Sequence, residues 1–167
     1  NLDVEPRTRL PHKFSEALFV TVYARKKALK IINEVIAGEV NVEDVVKDEL
    51  ERRPKLLEDL QSIRDKIGKT RVGTLKSAEV LAEFKLTASV NEKMVFEIED
   101  MIEKMDKLDR GLKSKKRNLN LKELKTQRTE VLKTLGQSVE SVKEQLRVIK
   151  MRQSKFNKAK KLLVEAN

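Results

Sequence analysis

The sequence has no cysteine and no tryptophan, and it has one tyrosine, three prolines and five glycines among 167 residues. The absence of cysteine excludes disulfides, thiolate metal sites and cysteine nucleophiles, and it favours a reducing, cytoplasmic location. Aromatic residues make up only 4% of the chain and charged residues 38%. The core must therefore be aliphatic, which favours an all-α fold over a β-sandwich.

Long apolar segments are also absent. No apolar run approaches the length of about 20 residues that spans a bilayer, and the first residues lack the apolar stretch of a signal peptide. These absences predict a protein with no membrane partner. The chain begins at Asn1 without a methionine and ends at Asn167 within a helical pattern, so we expect a fragment of a longer protein.

The patterns of catalytic and metal sites are missing from the sequence. His12 is the only histidine, and no motif provides it with a second metal ligand. No HExxH, P-loop or GxSxG pattern occurs. Acidic pairs such as Glu99/Asp100 lie in mixed-charge helical segments, where ion pairing is their ordinary role. We predict a non-enzymatic binding protein without a cofactor or a metal.

Positive charge is concentrated in one part of the chain. The formal net charge is +10, but residues 1–67 hold 13 Lys+Arg against 13 Asp+Glu, and residues 68–110 hold 8 against 9. Residues 111–161 hold 16 against 4. A basic surface of this kind is either simply solvated or attracts polyanions.

Helical periodicity accounts for most of the sequence. A first long helix is predicted over about 12–37, where Gly38 ends it, and Asn41 is suited to cap a short successor. Pro54 either opens the next helix or kinks a longer one. The later breaks and caps are predicted at Gly68, Ser89, Gly111, Gly136 and either Ser138 or Ser141. The pattern predicts an all-α globular array of about six to seven helices with a long C-terminal helix.

The last helix is predicted to carry an apolar face and a basic face. The residues expected to point inward are Val142, Leu146, Ile149, Gln153, Phe156 and Leu163. About 100° around the helix lie five cations, Lys143, Arg147, Lys150, Lys158 and Lys161. Lysines and arginines along one helix face can contact successive phosphates of a DNA backbone without reading bases. These five residues are our candidate DNA-backbone contacts.

The closing residues, Lys158 to Asn167, resemble a known protein family. The Ala-Lys-Lys that begins at Ala159 and the Val-Glu-Ala-Asn that follows are similar to the opening of conserved region two in primary sigma factors of bacterial RNA polymerase. A weaker match covers Ala28 to Asp48, which is similar to the segment just after conserved region one. Phe84-Lys85-Leu86 and the following helix are similar to the central helical pair of the family's non-conserved region. The three matches follow the family's order.

The resemblance implies a division of the chain. Residues 1–67 would be an N-terminal helical part after conserved region one, 74–157 the remainder of the non-conserved helical domain, and 158–167 the start of region two. Between the first two parts, the glycines at 68 and 73 and the missing apolar period predict a boundary or linker at 68–73. The resemblance also implies a non-catalytic role in promoter recognition and transcription initiation within the polymerase holoenzyme. The partners would be the largest subunits of core RNA polymerase, promoter DNA near the minus-ten element, and transcription regulators. The alternative is a helical adaptor or scaffold whose basic face binds an acidic partner.

Overall fold

The computed structural model describes residues 11–47, 55–114 and 120–166. These ranges contain eight helices: α1 (Phe14–Phe19), α2 (Val22–Ile36), α3 (Val42–Val45), α4 (Leu56–Gly68), α5 (Leu75–Ala82), α6 (Ala88–Lys113), α7 (Leu121–Leu135) and α8 (Val139–Ala166). The β pairing in the same ranges is one isolated antiparallel bridge between Val46 and Leu86. The predicted all-α array with a long C-terminal helix is confirmed.

The first predicted helix is in fact two helices. The chain turns at Val20, and the buried Thr21 caps α2 by accepting a hydrogen bond on Oγ1 from the amide of Ala24 at 3.2 Å. The same hydroxyl donates to the carbonyl of Leu18 at 2.7 Å, so it satisfies backbone groups at both helix ends. This extra break explains why the described residues contain more helices than the six to seven predicted.

Three predicted glycine stops are confirmed and one is wrong. α4 ends at Gly68, as predicted. Gly38 and Gly136 follow α2 and α7 with φ of 78° and 72°, the left-handed conformation that glycine adopts without a Cβ penalty. Gly111 does not end α6, which continues to Lys113. The predicted start of α6 is also wrong, because its cap is Thr87 rather than Ser89. Pro54 lies outside the described residues.

The helices share one hydrophobic core. α1 lies against α5 and α8, while α6 packs along α7 and also contacts α8. Fully buried aromatic and aliphatic side chains fill the space between them, among them Phe19, Phe84, Ile98 and Ile149. The N-terminal and C-terminal helices are therefore packed into the same core.

The connection between α4 and α5 joins two elements that contact each other. Arg25 of α2 hydrogen-bonds to the helices on both sides of this connection. Its Nε donates to Ser77 Oγ of α5 at 3.2 Å, and its Nη2 donates to the Ile67 carbonyl of α4 at 3.4 Å. The 68–73 linker proposed from the sequence lies at this connection, and its role as a domain boundary stays a prediction.

Candidate interface on the C-terminal helix

The start of α8 is fixed by the turn that precedes it. Gly136 reverses the chain, and a Cβ at this position would lie 2.5 Å from Cγ1 of Val22. Ser138 then caps α8, since its Oγ accepts a hydrogen bond from the amide of Ser141 at 3.2 Å. This agrees with the predicted start at Ser138. The alternative start at Ser141 is wrong, because that residue lies inside the helix.

Gln137 ties this turn to the rest of the fold and was not identified from the sequence. Its Oε1 accepts from the amide of Val22 at 2.9 Å, while its Nε2 donates to Ser141 Oγ at 2.7 Å and to Gln145 Oε1 at 2.8 Å. The side chain thus links the start of α2 to the first turns of α8. A glutamine in a turn carries no sequence signal for such a long-range contact.

The first half of α8 packs as the apolar pattern predicts. Val142 and Ile149 are buried and Leu146 is partly buried against the core, as expected for the inward face. Val139 and Val148 are also buried. This half of α8 is part of the helical body.

The second half of α8 projects from the body, which corrects part of the predicted inward face. Phe156 contacts the Phe14 ring at a centroid distance of 5.9 Å but is still 37% exposed. Leu163 is 67% exposed, and residues 154–165 are all exposed. The spacing correctly places Leu163 on the same stripe as Ile149, but the described helices end their contact with α8 before that position is reached.

The five candidate cations fall into two groups, and the first is paired. Lys143 Nζ lies 3.1 Å from Asp106 Oδ1, and Lys150 Nζ lies 3.3 Å from Glu99 Oε1. Both acids belong to α6, which therefore runs antiparallel to α8. Arg147 pairs with Glu144 on α8 itself. Exposed pairs of this kind add little to stability, but they offset the local positive charge.

The Arg147 pair stays ionised at neutral pH. The hydrogen bond from Arg147 and its positive charge hold the pKa of the Glu144 carboxyl below its usual value. The same hydrogen bond and the carboxylate charge raise the pKa of the Arg147 guanidinium. Both pKa shifts favour the charged forms, as expected for a surface ion pair.

The second group, Lys158 and Lys161, lies on the projecting half, where no acid of α6 pairs with it. Lys161 Nζ is 4.0 Å from Glu165 Oε1, a loose contact, and Lys158 makes no ion pair within the residues that the structure describes. Together with Lys150 they border an open groove of about 350 Å³ along one side of α8. Residues 152–165 contain five Lys+Arg and one Asp+Glu, so this half of α8 carries most of its excess positive charge.

The sequence-based stripe omitted two of the exposed cations, Lys155 and Lys160. They point away from the chosen stripe, but the described residues leave this half of α8 exposed on every side. The sequence also did not identify Glu99 and Asp106 as ion-pair partners, because these acids lie far from α8 in the chain and meet it only in the folded structure. The candidate DNA contacts thus differ in what surrounds them.

Other kinds of site have little support in the structure. His12 is exposed. Among the described ranges, no group of three or more His, Cys, Asp or Glu residues is arranged to hold a metal ion. A search of the same ranges finds no helix with the length and apolarity needed to cross a membrane.

Comparison with known proteins identifies no relative. No protein-family model, no curated protein sequence and no solved structure matches the chain.

Proposed function

We propose that this chain is a non-catalytic helical segment of a primary sigma factor, with the projecting half of α8 leading into conserved region two. The observation that carries the proposal is the exposure of the residues that match this region. Leu162, Leu163 and Val164 are 66%, 67% and 70% exposed, on a helix that the body leaves uncovered. Exposed apolar side chains at these positions are available to pack against a partner.

The position of the exposed residues supports the proposal. The helical body ends its packing near Phe156, and the segment that resembles region two begins two residues later at Lys158. A rigid helix that is fixed at one end by a core can hold the next structural unit at a set distance and angle. In the proposed role, the body positions region two, and Leu162 to Val164 pack within that region or against the polymerase.

The charge of α8 supports a contact with DNA backbone by the same half. Lys158 has no ion-pair partner among the described residues and Lys161 has only the 4.0 Å contact with Glu165, whereas Lys143 and Lys150 each face an acid of α6. Phosphate contacts made by lysines release counterions and fix position without reading sequence. We assign Lys158 and Lys161 the larger share of the proposed backbone contact.

The proposal is tested with the intact product of the gene that encodes this segment. Core RNA polymerase is supplemented with that protein, and both its binding to core and its transcription from a defined promoter are measured. Promoter-specific transcripts that depend on the added protein are the expected result. Absence of both core binding and specific initiation would overturn the proposal.

The second candidate, an adaptor that binds an acidic protein partner, rests on one observation. The exposed cations of the projecting half accompany exposed apolar side chains, a combination that also suits an acidic amphipathic surface. A protein that fails to bind core polymerase but binds an acidic partner through Lys158 and Lys161 would favour this function. Loss of that binding when both lysines are replaced by glutamate is the discriminating result.

A further inference from the structure

A second concave surface lies between α2 and the last turns of α7, and none of the α8 candidate residues contributes to it. Its volume is about 840 Å³. One wall is a stripe of α2 that includes Tyr23, Lys26, Lys27 and Lys30, at the three- and four-residue spacing of a single helix face. Lys133 near the end of α7 forms part of the opposite wall.

This groove, named here the α2/α7 groove, is strongly cationic at one end. Lys26, Lys30 and Lys133 are exposed, and no acid from the described part of the chain forms an ion pair with them. Lys26 and Lys30 are four residues apart on α2, where like charges repel each other. An acidic partner at this end would remove that repulsion.

The α2 wall also contributes two apolar residues to the groove, Tyr23 and Leu29. Tyr23 is buried, and Leu29 is partly buried against the core. Lys27 Nζ lies 5.8 Å from the centre of the Tyr23 ring and 3.8 Å from Glu97 Oε2, so Lys27 is held over the ring. Burial and the Glu97 carboxylate raise the pKa of Tyr23 to about 12, so the phenol is neutral at physiological pH.

The opposite end of the groove carries negative charge from Glu34 and Glu39. A phosphate backbone has a uniform negative charge and would be repelled there, whereas a polypeptide can place a basic or neutral residue at that end. The α2 wall extends from Tyr23 to Ala37, which corresponds to about 21 Å, or about four turns, of a helix lying alongside. The charge pattern and the length therefore favour a polypeptide helix over nucleic acid.

We infer that the α2/α7 groove binds an acidic, amphipathic helix of a partner protein. The apolar residues of that helix lie over Tyr23 and Leu29, and its carboxylates reach Lys26, Lys30 and Lys133. This is the helix-in-groove mode of recognition, with anchors at helical spacing. The inference does not depend on the proposed sigma-factor role, because it uses a different surface.

The test uses the 167-residue chain and a synthetic probe. The probe is a helical peptide of about 16 residues, matched to the groove's length. It has leucines along one face, glutamates beside them in one half, lysines beside them in the half that meets Glu34 and Glu39, and no aromatic residue. Tyr23 is the only tyrosine and tryptophan is absent, so intrinsic tyrosine fluorescence reports on the groove itself. A saturable fluorescence change with this peptide is expected. A peptide of the same composition with scrambled order should bind at least about tenfold more weakly, because it cannot present both faces.

Charge variants separate the groove from general attraction to a basic protein. Lys26→Glu with Lys30→Glu should weaken peptide binding by at least about tenfold, because like charges then face each other. Lys122→Glu with Lys125→Glu, on the exposed first turn of α7, makes the same change in net charge and should alter binding by no more than about twofold. Circular dichroism checks that each variant remains helical, and the milder pair Lys26→Gln with Lys30→Gln should give an intermediate loss.

Four results would overturn the inference. They are the absence of a saturable signal, equal losses in the two glutamate variants, a saturable signal of the same size with a DNA duplex, and a shift in oligomeric state that depends on Lys26 and Lys30. The third would indicate a nucleic-acid groove, and the fourth would indicate that a second copy of the chain occupies it.

Discussion

The two halves of α8 belong to one continuous helix but have different surroundings. In the first half, apolar residues such as Ile149 are buried, and the cations Lys143 and Lys150 face acids of α6. In the second half, Leu162 to Val164 are exposed, and most cations have no acid facing them from α6. Apolar and basic residues therefore contact the helical body in the first half of α8, whereas residues of the same types are exposed to solvent in the second half.

The largest expected difference between the halves is in core packing. Ile149→Ala should lower the free energy of unfolding by about 2–5 kcal/mol, because it leaves a cavity at a fully buried position. Leu163→Ala should change it by less than about 0.5 kcal/mol, because the side chain is exposed. Urea unfolding of both variants measures the difference. Equal destabilisation would mean that the second half packs against the body.

The turn before α8 should be nearly as sensitive. Gly136→Ala places a Cβ in a left-handed conformation and against Val22, so a loss of about 2 kcal/mol or more is expected. Gly68→Ala is the matched control, since a Cβ there meets no atom within 4 Å and its φ is not positive. The free energy of unfolding of the control, measured by thermal unfolding, should lie within about 0.5 kcal/mol of that of the parent chain. A tolerant Gly136 would contradict the described junction between α7 and α8.

The ion pairs give a smaller contrast. Lys143→Glu with Lys150→Glu should destabilise the chain by about 1–2 kcal/mol, because two ion pairs are removed and like charges then meet across α6 and α8. Lys158→Glu with Lys161→Glu makes the same change in net charge on the projecting half. Denaturant midpoints should show a loss of stability in the first double variant only, and the loss should shrink in high salt.

Tyr23 provides a test on a region away from α8. Its pKa is raised to about 12 in the folded chain, compared with about 10 for an unperturbed tyrosine. Because folding favours the neutral phenol, its contribution to stability is complete below about pH 10 and disappears as the pH rises through about 12. Phenolate absorbance should show this midpoint in the folded chain and an ordinary one in denaturant. Identical midpoints would contradict the burial of the ring.

The sequence predicted the helical fold well, because its signals are local. Gly38 and Gly136 stop helices through their own backbone freedom, and Ser138 caps α8 through its own hydroxyl. The break at Thr21 was missed because the apolar period continues across it from Phe14 to Ile36, so no change of pattern marks the turn. Local rules describe which face of a helix is apolar, but they do not fix every interruption.

The candidate site was only partly predictable, because its key properties are non-local. Spacing placed Leu163 on the stripe of Ile149, but it gave no information on where neighbouring helices stop covering that stripe. The pairing of Lys150 with Glu99 joins residues far apart in the chain. The sequence therefore identified the cations of α8, and the tertiary fold shows which of them face acids of α6.

The most direct test of the different roles of the two halves is the salt dependence of promoter binding. It compares the intact gene product, assembled with core polymerase, with its Lys158→Glu/Lys161→Glu and Lys143→Glu/Lys150→Glu variants. We predict that affinity falls less steeply with salt in the first variant. The slope of log affinity against log salt should become less negative by about one for each phosphate contact that is lost. The second variant should change the slope less, because its lysines already have acidic partners. Equal slopes for both variants and the parent would contradict a DNA-facing role for the projecting half of α8.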